Sequence, residues 1–173
     1  GDAGALVELA EAVASEPEGW LISDGTWRTP GEERRFLRAL RRYGDAAVFV
    51  AELPTDGIVG RLSLGRDPHP ASRHVADLGL MVSALHRRRG IGTALLREAE
   101  EWARAVGVRK LELHVFPHND AAIQLYESRG FRREGLRRGH YRRGAEYLDA
   151  VRMALEVQQI PSVAWLAQIA DSF

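Results

Sequence analysis

The chain has 173 residues, enough for one domain with a hydrophobic core, and its 24 basic and 24 acidic residues give a net charge of zero. It contains no cysteine, which excludes disulfides, thiolate metal ligands and a cysteine nucleophile. No apolar run reaches the roughly 20 residues of a membrane helix and no signal peptide is recognisable, so we expect a soluble cytoplasmic protein without membrane or nucleic-acid partners.

The first half of the sequence predicts two helices and then a β-hairpin. Apolar residues recur at intervals of three and four over residues 2–15, the spacing of an amphipathic helix. The sequence TPGE at 29–32 combines a capping threonine, a proline and a glutamate three residues later, so a second helix begins there and reaches about residue 43. Strand-like runs at 46–53 and 58–64 follow, with a Pro-Thr-Asp-Gly turn between them. We expect the second helix to bury Phe36, Leu37 and Leu40.

The second half predicts strands alternating with helices. The predicted strands are residues 75–82, 110–116, 131–141 and 147–156, and the predicted helices are residues 92–106 and 120–129. This order indicates an α/β (α+β) fold with a mixed sheet and packed helices, in one domain over residues 1–156. Residues 157–173 form a tail, which we expect to be a short helix.

A glycine turn flanked by arginines separates the strand at 75–82 from the next helix, in the sequence HRRRGIGTALL at 86–96. Unpaired N–H groups at the start of a helix bind phosphate, and glycine allows close approach. The turn lacks the lysine of a Walker motif and the third glycine of a dinucleotide fingerprint. The pattern that remains is Arg/Gln-x-x-Gly-x-Gly/Ala at residues 87–92, with His86 expected at the surface.

This pattern resembles the acyl-CoA signature of the GCN5-related N-acetyltransferase (GNAT) family. The stretch NxxAIxLYxxxGF at 119–131 is similar to the family's next motif, and residues 134–155 resemble its closing hairpin. The resemblance covers residues 46–156 well and implies a mostly antiparallel sheet with helices on both faces. The family usually begins with a strand that is missing here. Either the chain was shortened or that strand is absent, in which case an open sheet edge would favour a homodimer.

The resemblance implies an N-acetyltransferase that moves an acetyl group from acetyl-CoA to a primary amine of a small molecule, polyamine or peptide. In the family the CoA pyrophosphate sits on the glycine turn and the pantetheine arm pairs with the preceding strand. The implied cofactor-binding residues are Leu80, Met81, Val82, Arg87, Arg88, Arg89, Gly90, Ile91, Gly92, Thr93, Asn119, Ala122 and Tyr126.

Two residues are candidates for the proton transfers that such a reaction needs. The resemblance makes Tyr126 the general acid at the leaving sulfur, the alternative being a tyrosine of the core. Asp77 is the candidate base, the alternative being a structural acceptor; alternation places it opposite Leu78, and which face lines the cleft stays open. His114 and His118 are not expected to bind metal, because Pro117 interrupts the helix that such a pair would use.

The acceptor site of the family lies between the loop at 18–29 and the closing hairpin at 137–144. Trp20 and Trp27 either wall this site or cover the core. Two other functions remain open. A run of arginines in the closing hairpin could bind RNA or an acidic protein, and the domain could bind acyl-CoA as a sensor without turnover.

Overall fold

The computed structural model describes residues 2–22, 26–40, 42 and 44–158. Within them no helix is long and apolar enough to cross a membrane. The tail helix expected over residues 157–173 falls outside the described residues, apart from residues 157 and 158. The helices and strands are α1 (Asp2–Ala14), α2 (Pro30–Leu40), β1 (Ala46–Leu53), β2 (Gly57–Arg66), β3 (Val75–Val82), α3 (Ile91–Val106), β4 (Lys110–Val115), α4 (Asp120–Ser128), β5 (Arg132–Arg143) and β6 (Glu146–Glu156).

The six strands form one mixed sheet in the order β1-β2-β3-β4-β6-β5. Every neighbouring pair is antiparallel except β3 and β4, which are parallel and are connected by α3. A parallel pair needs a crossover connection, and the helix supplies it. The predicted mixed, mostly antiparallel sheet is confirmed.

The two faces of the sheet carry different helices. Helices α3 and α4 cover one face, where their apolar side chains pack on alternate residues of β2, β3, β4 and β6. Helix α1 packs on the other face, at the end of β2 and β3. The expectation of helices on both faces is confirmed. The hydrophobic core between this first face and its helices includes Leu62, Leu78, Leu95, Leu96, Leu111, Leu113, Ile123, Tyr126 and Met153.

Helix α2 begins at the predicted cap but buries a different residue. The Thr29 hydroxyl accepts the N–H of Glu32 at 3.3 Å, and the Glu32 carboxylate accepts the N–H of Thr29 at 2.8 Å, which is a capping box. Glu33 is fully buried, 2.9 Å from the guanidinium of buried Arg61 on β2. The predicted apolar face was wrong in this respect, because a long-range ion pair decided which side of the helix turns inward. Phe36, Leu37 and Leu40 are only partly buried.

Candidate active site

The predicted glycine turn joins β3 to α3. Gly90 is the N-cap of α3 with φ +81°, and Arg88 has φ +61°, so the chain turns through two left-handed conformations. Gly90 has no side chain to cap the helix, and the first turn of α3 carries no acidic residue. The first N–H groups of α3 are therefore available to an anion, which the helix dipole also favours.

Gly92 allows three elements to meet beside this turn. A Cβ atom at this position would lie 2.8 Å from Leu125 Cδ2 of α4 and 3.7 Å from Leu80 Cδ2 of β3. Asn119 caps α4, since its Oδ1 accepts the N–H of Ala122 at 3.2 Å. The structure thus brings the glycine turn and the motif at 119–131 together at one end of the sheet.

The three arginines of the turn differ in their surroundings. Arg87 donates to both carboxylate oxygens of Glu16, at 2.5 and 2.7 Å, and to the carbonyl of Val82 at 3.2 Å. Its guanidinium therefore ties the end of β3 to the segment that follows α1. Arg88 and Arg89 are exposed, so their charges are the more accessible ones at the turn.

His86 was expected at the surface and is buried, with 9% of its area exposed. Its Nδ1 lies 3.2 Å from the hydroxyl of Ser83, and its Nε2 lies 3.3 Å from the carboxylate of Asp56. The surface prediction was wrong because a short 3₁₀ turn, Ala84–His86, folds the ring back over the β1–β2 turn. A polar neighbourhood in sequence does not reveal such a contact.

An opening lies between β3 and β4, next to the glycine turn. The two strands pair only where residues 75–77 face residues 110–112, although β3 continues to Val82 and β4 to Val115. Beyond Asp77, the edge of β3 that faces β4 has no strand partner among the described residues. That edge can pair with a ligand in the manner of a strand.

Tyr126 lies on the α3/α4 side of this opening. Only 5% of the residue is exposed, and its ring centroid is 5.7 Å from that of Phe131. Burial raises the pKa of the Tyr126 hydroxyl well above its usual value. The hydroxyl therefore stays protonated at neutral pH, as a proton donor must.

Asp77 lies on the opposite side of the opening from Tyr126. The sequence alone left open on which face of the sheet it would lie. Leu78 and Leu80 pack toward α3, while Met81 packs with α1, so Asp77 shares the α1 side. Burial raises the pKa of the Asp77 carboxyl, and the nearby Glu112 carboxylate raises it further. Asp77 forms no ion pair within the described part of the chain, whereas Glu112 binds Lys110 and Arg152.

A cluster of polar rings lies beside Asp77, where β4 ends. His114 Nδ1 is 2.6 Å from the hydroxyl of Tyr141 on β5, and His114 Nε2 is 3.4 Å from the guanidinium of Arg137. The ring of His140 lies edge-on to both His114 and Tyr141. Sequence reasoning missed this cluster. The sequence feature that could have indicated the cluster is the alternation along β4 of polar Lys110, Glu112 and His114 with apolar residues.

The loop after α1 is attached to the closing hairpin, so the two predicted acceptor segments do meet. Arg143 donates to the carbonyls of Gly19 and Leu21, at 3.1 and 2.9 Å. His118 Nε2 lies 2.9 Å from the carbonyl of Glu18, and its ring stacks on Trp20. His118 and His114 thus have separate partners, and within the described residues no group of three histidine, aspartate or glutamate side chains could hold a metal ion.

Comparison with known proteins identifies this arrangement. The chain is 38% identical to an L-amino acid N-acetyltransferase of Escherichia coli (strain K12) over 101 residues, which are 56% of this chain and 60% of that relative, so the match spans less than two thirds of the relative. The structure of a GNAT acetyltransferase from Streptococcus pneumoniae superposes with a TM-score of 0.81 at 29% identity, over 91% of this chain and 94% of that one.

A further solved structure shares the fold and contains a ligand. It is a putative acetyltransferase from Salmonella typhimurium, solved with its cofactor acetyl-CoA, with a TM-score of 0.80 at 20% identity over 93% of this chain and 91% of that one. The acetyltransferase (GNAT) family model matches residues 8–131, which is well over half of the sequence. The chain therefore belongs to the GNAT acetyltransferase family.

Proposed function

We propose that this protein is an N-acetyltransferase that moves the acetyl group of acetyl-CoA to a primary amine. The observation that carries the proposal is the opening between β3 and β4. It has an anion-binding helix end at its rim, a buried tyrosine on one side and a free carboxylate on the other. Family membership supports the same activity.

The α3/α4 side of the opening fits acetyl-CoA. The backbone N–H groups of residues 89–93 would bind the pyrophosphate, with the exposed side chains of Arg88 and Arg89 adding charge. Arg87, which is bound to Glu16, would hold the shape of the turn and contribute less charge. The free edge of β3 at residues 80–82 would pair with the pantetheine arm, beside Asn119 and Ala122.

The two proton transfers are assigned to opposite sides of the opening. An alkylamine has a pKa near 10.4, so a base must remove its proton before or during attack on the thioester. Asp77 is the carboxylate on the acceptor side, and its raised pKa makes it a stronger base than an ordinary aspartate. Tyr126 is the protonated group on the other side and would donate to the leaving sulfur.

The acceptor amine would enter between the loop after α1 and the closing hairpin. These segments are held together by Arg143 and His118. The His118 ring stacks on both Trp20 and Phe116, and Tyr141 lies edge-on to Phe116. The Escherichia coli relative acts on L-amino acids, which supports a small amine or a peptide amino group as acceptor here. We place this reaction in the cytoplasm. An uncovered sheet edge, if the first family strand is absent, would favour a homodimer.

A calorimetric titration with acetyl-CoA tests the proposal, with RNA at the same salt concentration as control ligand. We expect saturable binding of one acetyl-CoA and no RNA binding, followed by turnover with amines. Gly90→Val should abolish this binding while the protein stays folded, because valine resists the φ of +81° that shapes the turn. Gly4→Ala, in open space on α1, is the matched control.

The alternative outcomes have definite meanings. Binding of acetyl-CoA without turnover of any amine would indicate a sensor. Failure of a folded sample to bind acetyl-CoA, or unchanged binding by the Gly90 variant, would contradict the assignment of the turn.

A further inference from the structure

The His114–Tyr141 hydrogen bond lies on the acceptor side of the opening. His114 is the second residue of β4 beyond the last one paired with β3, so its side chain lies where the two strands have separated. It shares the face of Asp77, because Glu112 pairs with Asp77 and residues two apart on a strand point the same way. The 2.6 Å separation between His114 Nδ1 and Tyr141 Oη is that of a strong hydrogen bond.

Tyr141 reaches His114 because of an irregularity in the closing hairpin. The pairing of β5 with β6 shifts register between Arg137 and Tyr141, and Gly139 has φ +53° in that segment. The Gly139 N–H donates to the Asp149 carboxylate at 2.7 Å, which fixes the shifted conformation. The hairpin is thereby bent so that a phenol contacts the imidazole of another strand.

The charges around the imidazole keep it neutral. Burial lowers the pKa of His114 below its usual 6.5, and the neighbouring Arg137, His140 and Arg152 side chains lower it further. The Glu112 carboxylate on the same strand opposes this effect, and Asp77 on β3 and Tyr141 on β5 are the other titratable groups nearby. The imidazole accepts a proton at Nδ1 in the tautomer that carries its hydrogen on Nε2. In that tautomer the 3.4 Å contact of Nε2 with Arg137 is not a hydrogen bond, and the Arg137 guanidinium bonds His140 instead, at 3.0 Å.

We propose that Tyr141 and His114 form a proton relay for the acceptor amine, an inference that rests on the proposed acetyltransferase function. The acceptor ammonium first loses one proton to water. As the neutral nitrogen then bonds to the acetyl carbon and the carbon–sulfur bond breaks, the nitrogen passes its second proton to Tyr141 Oη, and the hydroxyl proton of Tyr141 moves to His114 Nδ1. The leaving sulfur takes the proton of Tyr126. Water then takes the extra proton from His114, and another water molecule reprotonates Tyr126. Both side chains are thereby back in their starting protonation states.

The relay changes what Asp77 is expected to do. Asp77 contributes to the electrostatics of Tyr141 and has no ion-pair partner of its own among the described residues. Its negative charge is placed to stabilise the imidazolium that forms on His114 during the step. Asp77 is then a counter-charge for the relay, and its loss should be less damaging than the loss of His114.

The test compares His114→Gln and Tyr141→Phe with the surface control His74→Gln, whose side chain is exposed. Acetyl-CoA binding is measured by calorimetry, and kcat is followed over pH at saturating acceptor, using the best amine from a panel of L-amino acids, spermidine and an alanine-terminated peptide. We expect each relay variant to bind acetyl-CoA normally and to lose roughly 10²-fold or more in kcat at neutral pH.

The pH profile separates a relay from a structural role. In the wild type, kcat should fall as pH drops through the lowered pKa of His114, because the imidazole then becomes charged and cannot accept a proton. This fall should disappear in His114→Gln and persist in Asp77→Asn. An NMR titration of the His114 ring should place its pKa below 6.5 in the wild type and change it in Tyr141→Phe.

Three results would overturn the relay. An acid limb that survives in His114→Gln but vanishes in Asp77→Asn would make Asp77 the sole base while leaving the acetyltransferase function intact. Equal kcat in the His114 and His74 variants would have the same meaning. Wild-type protein that neither binds acetyl-CoA nor acetylates any amine of the panel would refute the proposed function itself, and the relay with it.

Discussion

The two faces of the sheet differ in how they are stabilised. The face under α3 and α4 is a continuous apolar core, in which even the one tyrosine is almost fully buried. The face under α1 and α2 contains the buried Glu33–Arg61 pair and then, farther along the sheet, Asp77 and the rings around His114. The first face is held by packing, whereas the second combines a smaller apolar cluster under α1 with charges and hydrogen bonds.

The two faces would also have different functions in the proposed reaction. The proposed binding of acetyl-CoA by backbone groups would need a rigid edge, and close packing behind β3 and the start of α3 supplies one. In the proposed reaction, the groups that take up the amine proton lie on the α1 side, where Asp77 and His114 have shifted pKa values, while the proposed acid Tyr126 lies in the packed face. The opening between β3 and β4 connects the two faces of the sheet.

The largest expected effect on stability comes from breaking the charged pair of the polar face. Glu33→Gln should lower the free energy of unfolding by roughly 3–5 kcal/mol, because it leaves the guanidinium of Arg61 buried without its counter-charge. Urea unfolding measures this. The double variant Glu33→Gln with Arg61→Met should recover much of the loss. A cost below about 1 kcal/mol for the single variant would mean that the ion pair contributes little to the stability of this face.

An intermediate effect is expected for Tyr126, whose hydroxyl is a polar group within the apolar face. Tyr126→Phe should reduce kcat by about 10²-fold, equivalent to about 2.7 kcal/mol, while acetyl-CoA affinity and stability change little. The ring remains against Phe131, and only the hydroxyl is lost. Steady-state kinetics measure kcat, and calorimetry measures the affinity for acetyl-CoA. Equal losses in turnover and affinity would make Tyr126 a packing residue and remove the acid from this side.

The smallest effect concerns the cap that starts α2 on the polar face. Thr29→Ala should cost about 1 kcal/mol of unfolding free energy, since it removes the hydroxyl half of the capping box. The bonds from Thr29 lower the pKa of Glu32, so their stabilisation is present above the usual value of 4.5 and is lost as pH falls through the lowered one. Thermal unfolding at pH 7 and at pH 3 should therefore show a smaller difference between variant and wild type at pH 3.

Local signals in the sequence were sufficient for most elements. The capping pattern at 29–32 located the start of α2, and Gly107 marked the end of α3, where it takes φ +75°. The glycine turn and the motif at 119–131 were recognisable because each lies within a dozen residues. The structure confirms the fold that they indicated.

The contacts that define the acceptor side could not be predicted in the same way. Tyr141 meets His114 across 27 residues, Arg87 meets Glu16 across 71, and Arg143 meets Gly19 across 124. Each depends on a register shift, a turn or a loop path that propensity does not encode. Asp77 could be named as a candidate, but only the packing of Leu78 against α3 fixed the face on which it lies.

The bond between Arg87 and Glu16 joins the two ends of the proposed reaction. Arg87 belongs to the turn assigned to the cofactor phosphates, and Glu16 stands just before the loop assigned to the amine. Two hydrogen bonds between Arg87 and Glu16 thus connect the two proposed sites directly. Thermodynamic reciprocity requires that any coupling they transmit be the same in both directions, so a protein that holds its donor more tightly with the acceptor present must hold its acceptor more tightly, by the same factor, with the donor present.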